Sequence, residues 1–182
     1  MNLFAKYLLN REINRRLSGS CRQREFRNLK EVKTVLIIYN SYDSEIADEC
    51  QKLLEQAGKE VSTIAYQKKL QADSRCNADF IVTDSDVRFN SSVNMANVRR
   101  LLKNSRFDLA IDMTREENLL LQYILVLTDA LMKVGFCKYR RQLHDMLILA
   151  PAGETDENEN SMQILEKQMI YYLSTISSSR EI

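Results

Sequence analysis

Apolar residues recur along this chain at two spacings, and each change of spacing marks the border of an element. VKTVLIIYN at 32–40 is a β-branched run without polar alternation. That is the pattern of a strand buried on both faces, as in a parallel sheet. SYDSEIADECQKLLEQAG then shifts to helical spacing. Ser41 or Asp43 stands where a helix cap belongs, and Ile46, Cys50, Leu53 and Leu54 share the inner face. Gly58 closes the helix, and EVSTIAY at 60–66 is the next strand. The three pieces make one βαβ unit, whose crossover is expected to be right-handed.

The same rhythm continues. A short strand is predicted at 80–83, with Val87 and Phe89 extending it. A helix at 93–104 carries Val93, Met95, Val98, Leu101 and Leu102. FDLAIDM at 107–113 and DMLILAP at 145–151 are further buried strands, the latter stopped by Pro151, with an acidic loop after it. The last helix, 160–176, places Met162, Leu165, Met169, Tyr172, Leu173 and Ile176 on one face. At the other end, residues 3–17 form a helix with two apolar stripes. Leu3, Phe4, Tyr7 and Leu8 make one, and Leu9, Ile13 and Leu17 the other, so two surfaces should meet it. SGS at 18–20 breaks this helix, and a second basic helical piece is expected up to about Asn28.

Strands alternating with helices predict an α/β fold. The expectation is a single open, mostly parallel sheet of about five strands in an order of the 3-2-1-4-5 kind, with helices on both faces. That is a Rossmann- or flavodoxin-like three-layer sandwich. It divides into a basic N-terminal helical extension (1–30) and an α/β domain (31–182). One segment strains the scheme. Taken as a helix, 117–134 is apolar nearly all round, with only Gln122, Asp129 and Lys133 on a narrow polar stripe. A helix covering one sheet face needs one apolar side, so something must cover its back. The N-terminal helix is the nearest candidate, and a homodimer partner the next.

Composition narrows the picture further. At 182 residues, with 45% apolar and 28% charged residues, the chain fits one soluble domain with a sizeable core. No apolar run approaches the ~18 residues of a membrane span, and no secretory leader pattern opens it, so a cytoplasmic location is expected. Cys21, Cys50, Cys76 and Cys137 are widely spaced and form no CxxC pair, which points to free thiols and away from zinc. Charge is unevenly placed: residues 1–30 hold eight basic side chains against two acidic ones. Such an end can meet an anionic membrane surface or nucleic acid, or pack on its own acidic domain.

Candidate chemistry follows from the fold, because ligands of open α/β sheets sit beyond the carboxyl ends of the strands. Those ends supply Asn40, Ser41, Tyr42 and Asp43, then Asp84, Ser85 and Asp86, then Asp112, Thr114 and Arg115. Asn40, Ser41, Asp43, Asp112, Thr114 and Arg115 are therefore the ligand-binding candidates, although Asp112 and Thr114 also suit helix capping. The first strand-to-helix turn contains no glycine, and Gly19, Gly58, Gly135 and Gly153 spell neither GxGxxG nor GxxxxGK[ST]. A phosphate cradle of the usual kind is excluded, and no cofactor is predicted. Asp84 and Asp86 are spaced like the DxD element with which many nucleotide-sugar glycosyltransferases hold a divalent cation. His144 is the single histidine, and preceding its strand it should lie at the amino-terminal edge, away from any catalytic rim. No catalytic residue is assigned.

VLIIYNSYDSE, FDLAIDMTREENLLLQYILVLTDALMKVGF and DMLILA together resemble a domain-of-unknown-function family of uncharacterised α/β proteins from Bacteroidota. The resemblance covers most of the chain and implies the same α/β fold and a cytoplasmic location. It carries no activity or site residues. FDLAIDM…ALMKVGF is also similar to a strand–helix–IGF segment in the amino-terminal half of heptosyltransferase-like enzymes. Those enzymes hold a second nucleotide-binding domain with no counterpart in this sequence. The reading is a non-enzymatic cytosolic binding or interaction module. One alternative is a small-molecule or nucleotide-sugar binding protein, or a transferase-like enzyme, using a divalent metal at Asp84 and Asp86. The other is a membrane or nucleic-acid adaptor acting through 1–30.

Overall fold

The computed structural model describes residues 3–68, 76–87, 96–136, 140–149 and 159–177. Six strands form one open sheet: β1 (Thr34–Asn40), β2 (Glu60–Gln67), β3 (Phe80–Thr83), β4 (Phe107–Asp112), β5 (Ala130–Gly135) and β6 (Met146–Leu147). Their order is β3-β2-β1-β4-β5-β6, and every neighbouring pair is parallel. This is the doubly wound order, one strand longer than expected.

The non-alternating run in β1 is explained by its two buried faces. Leu36 and Ile38 enter one apolar cluster, while Val35, Ile37 and Tyr39 enter the other. Helix α2 (Ser44–Gln56) carries the chain from β1 towards β2, and α4 (Leu119–Leu127) carries it the opposite way, from β4 towards β5. Right-handed crossovers of opposite direction put helices on opposite faces. Accordingly Cys50 and Leu54 of α2 pack in the second cluster with Leu165, Met169 and Leu173 of α5 (Glu159–Thr175). Leu120, Leu121, Ile124 and Leu125 of α4 lie in the first, with Val98 and Leu102 of α3 (Ala96–Asn104). Gly58, at φ +75°, ends α2 as a left-handed cap, the conformation glycine adopts at least cost.

The expected helix at 117–134 does not exist as one element. Its first half is α4 and its second half is β5, with Thr128 and Asp129 between them. Thr128 adopts extended backbone at φ −73° and ψ 125°, and its N–H closes onto the Ile124 carbonyl. A continuous apolar run reads equally well as helix or buried strand, and here it contains both. That removes the long helix through which a homodimer was expected. The back of α4 is covered by α1 (Leu3–Ser18), whose Leu9 and Ile13 are fully buried beside it. Leu17 of the same stripe packs there too, whereas Leu3, Phe4 and Tyr7 of the other stripe stay exposed.

Residues 20–28 are not helical. They run across the amino ends of β4 and β5, where strand groups need partners. The Glu25 N–H donates to the Leu131 carbonyl. Arg22 donates to the Ala130 and Leu131 carbonyls and grips both carboxylate oxygens of Asp145 at 2.6 and 2.7 Å. Arg27 binds Asp108 at 2.6 Å and Glu25 at 3.1 Å. Asp108 also accepts the Lys33 and Thr34 N–H groups. Two of the arginines that make residues 1–30 basic are thus spent inside the chain. Of the described residues, no helix is long and apolar enough to cross a membrane. The expected positions Phe89, Val93, Met95, Cys137 and Pro151, with the acidic loop after it, lie outside the described residues.

Candidate functional site

Strand order reverses between β1 and β4, and register brings their carboxyl ends level. Ile38 faces Asp112, Asn40 faces Tyr66 of β2, and Tyr66 faces Val82 of β3. Above this reversal lies a cleft of about 700 Å³. Asn40, Ser41 and Tyr42 supply one wall, Tyr66 and Asp84 another, and Asn118 and Leu119 at the start of α4 a third. Lys6, Lys68, Glu116 and Glu117 bring charge to its edges.

A chain of amide and hydroxyl bonds ties two of these walls together. The Asn40 amide N–H donates to the Tyr42 hydroxyl at 2.9 Å, and the Asn118 amide donates to the Asn40 carbonyl oxygen at 3.2 Å. The Asn118 oxygen meanwhile accepts the Leu120 and Leu121 N–H groups and caps α4. One side chain therefore both caps the helix start and joins two walls of the cleft. Tyr66 donates its hydroxyl to Asp84 at 2.9 Å. Burial, reinforced by that bond and the Asp84 charge, pushes the Tyr66 hydroxyl up to about 12, so it remains a neutral donor.

The expected ligand-binding residues divide into three groups. Asn40 and Ser41 line the cleft. Asp43 and Arg115 form a separate ion pair at 2.8 Å, with side chains 2% and 20% exposed. Asp43 begins α2 without a side-chain cap bond, contrary to its expected role, and neither does Ser41 cap that helix. Burial raises the Asp43 carboxyl, opposed by the Arg115 charge, and its Oδ2 atom has no partner. Asp112 and Thr114 turn below the rim. The Asp112 Oδ1 atom accepts the Thr114 N–H and hydroxyl, while its Oδ2 atom meets the His144 Nε2 atom at 2.9 Å. Neither caps α4, which Asn118 does.

His144 thus stands at the carboxyl end of β4 and β5, not at the amino-terminal edge. The reason lies in β6, which has only two residues and pairs with Val134 and Gly135 at the top of β5. The residue before it is lifted to the same level. The His144 and Asp112 side chains are 1% and 4% exposed.

Of the expected metal residues, Asp84 lines the cleft and binds Tyr66. Asp86 turns back: its Oδ2 atom accepts the Thr83 N–H at 2.7 Å and the Thr83 hydroxyl at 3.1 Å, forming a capping box on the short 3-10 turn Asp84–Asp86. The two carboxylates serve different partners. Among the described residues, no group of three or more His, Cys, Asp or Glu side chains is placed to hold a metal ion. Tyr66, Lys68 and Asn118 were missed from sequence. Asn118 was readable as the polar residue before the run LLLQYIL. Tyr66 and Lys68 reach the cleft only through the β1–β2 register.

Fold and rim together define a doubly wound α/β protein with an open cleft at its strand-order reversal. The chain belongs to the family of unknown function DUF6913, whose model matches residues 4–176. No curated protein matches it.

Proposed function

We propose that this protein is a non-enzymatic, cytosolic binding module that holds an uncharged, hydroxyl-bearing small molecule in the rim cleft. The observation that carries the reading is the cleft itself. It sits where doubly wound sheets take ligands and falls in the 300–1,000 Å³ range typical of small-molecule sites. Its lining offers hydroxyls, amides and two tyrosine rings, with Leu119 and Leu120 as apolar contact.

Three features favour a neutral occupant. Among the described residues, the cleft lining mixes the acids Asp84, Glu116 and Glu117 with Lys6 and Lys68, so no basic cluster awaits an anion. The start of α4, a ready anion site elsewhere, has its Leu120 and Leu121 N–H groups already taken by Asn118. The β1–α2 turn also lacks the glycines of a phosphate cradle. A binding role rather than catalysis is favoured by Asp112 and His144. These acid–base groups bond to each other below the rim, away from the cleft lining.

The test is a melting-temperature screen of nucleosides and monosaccharides against the wild type and Tyr42→Ala. Tyr42 is 61% exposed, so its loss spares the core while removing a cleft wall. The reading expects a ligand that raises the wild-type melting temperature and loses that effect in the variant, since only ligands preferring the native state stabilise it. A hit that stabilises both chains equally contradicts it.

A further inference from the structure

A second pocket, of about 490 Å³, shares no lining residue with the rim cleft. It opens between the last turn of α1, the end of α4, and β5. Among the described residues, four of its lining residues are cations, Arg16, Arg22, Arg24 and Lys133, and none is an acid. Ser20 and Gln142 add polar groups.

Lys133 is the anomaly. It occupies the middle of β5, where neighbours Met132 and Val134 are core residues, and it is only 4% exposed. Its ammonium donates to the Leu125 carbonyl at 2.6 Å, a bond that uses one of three protons. Burial, with Arg22 and Arg24 adding to it, pulls its pKa down to about 7 against the opposing pull of Asp145 and Asp129. A buried cation held by a carbonyl alone is costly. The nearby carboxylates are already committed: Asp145 to Arg22 at 2.6 Å and more loosely to Arg24 at 3.5 Å, and Glu12 to Arg15 and Arg16. With Arg15 included, five cations face three acids, Glu12, Asp145 and Asp129, and the Arg16 and Arg24 side chains are 39% and 63% exposed.

We propose that this pocket binds a small phosphorylated molecule carrying two negative charges, seated against the Lys133 ammonium and clasped by the Arg16 and Arg24 guanidinium groups. Such an anion supplies the charge that the protein leaves unbalanced, and guanidinium forks match phosphoryl oxygens. The pocket volume suits a small metabolite rather than a polymer. The site therefore differs in place and in ligand charge from the rim cleft.

Inorganic pyrophosphate is the probe, measured by calorimetry on the full chain against sodium chloride of equal ionic strength. Saturable binding is expected, weakened about tenfold or more by Lys133→Met, the loss of one charge-assisted contact. Arg24→Ala, at a side chain too exposed to matter for folding, should weaken it as well. Arg15→Ala lies outside the pocket and should leave it unchanged. Pyrophosphate indistinguishable from chloride overturns the proposal, as do Lys133→Met and Arg24→Ala binding like the wild type. Equal weakening by Arg15→Ala and Lys133→Met also overturns it, because diffuse surface charge then explains the binding.

Discussion

Replacing Gly135 by alanine probes the tightest packing under the rim. Gly135 pairs with Asp112 on one side and Leu147 on the other. A Cβ added there would stand 2.3 Å from the His144 Nε2 atom, 2.4 Å from Cδ2 and 3.0 Å from Cε1. Non-bonded carbon contacts settle near ~3.5 Å, so the overlap is about 1 Å at two ring atoms. The ring cannot turn aside without leaving Asp112, which it meets at 2.9 Å. Overpacking costs about 1–3 kcal/mol, and a lost hydrogen bond to a buried charged group about 1.5–3 kcal/mol. The sum predicts roughly 2.5–6 kcal/mol, or about 5–24 °C in melting temperature for a domain of this size. Urea denaturation should show the midpoint falling with an unchanged slope. The decisive control is the double mutant. His144→Ala is itself destabilising by about 3–5 kcal/mol, since it strands the Asp112 carboxylate. With the ring gone, however, Gly135→Ala should add less than about 1 kcal/mol. A neutral Gly135→Ala, or an equal penalty in both backgrounds, refutes the reasoning.

Two further outcomes concern buried charges. Arg115→Met should cost about 3 kcal/mol at neutral pH, because it leaves Asp43 buried without its cation. Burial already raises the Asp43 carboxyl, and the variant raises it further, so the folded state binds a proton that the unfolded state releases. The deficit should therefore grow as pH rises above ~4 and shrink in acid, a trend that denaturation between pH 4 and 7 reads directly. Lys133 acts in the opposite sense. Its folded pKa of about 7 lies below the unfolded value, so between pH 7 and about 10 the unfolded chain holds the extra proton and stability gains up to ~1.4 kcal/mol per pH unit from this group. Lys133→Met should be more stable than the wild type at pH 7, with the advantage fading towards pH 10. An advantage that stays constant with pH contradicts the burial of that charge.

The parts of the fold legible in the sequence are those where local pattern and tertiary demand agree. β1, β2, β3 and β4 lie within two residues of their expected bounds, because each has a short apolar or β-branched stretch bounded by polar residues, longest in β1, which is buried on both faces. The 117–134 segment failed for the same reason. Its apolar run satisfies a helix packed between sheet and α1, and then a strand buried on both faces, and only the Thr128 turn separates them. Residues 20–28 failed because their arginines answer to Asp108 and Asp145 across the sheet edge, partners that sequence spacing cannot reveal. The rim itself was legible, since strand ends in a parallel sheet converge whatever the loops contain. Which rim residues face the cleft was not. Asp43 and Asp112 lie near Asn40 and Ser41 yet turn to Arg115 and His144, a choice made by side-chain pairing across elements.

The central claim is that Asn40, Tyr42, Tyr66 and Asn118 form one ligand-binding surface above the β1–β4 reversal. Amide NMR titration with the best ligand from the stability screen tests it most directly. The account predicts that shifts concentrate at 40–42, 66–68 and 116–121, leaving the amide signals of α5 in place. Shifts gathered on α5, or on the exposed Leu3–Tyr7 stretch, with the rim amides unmoved, contradict it.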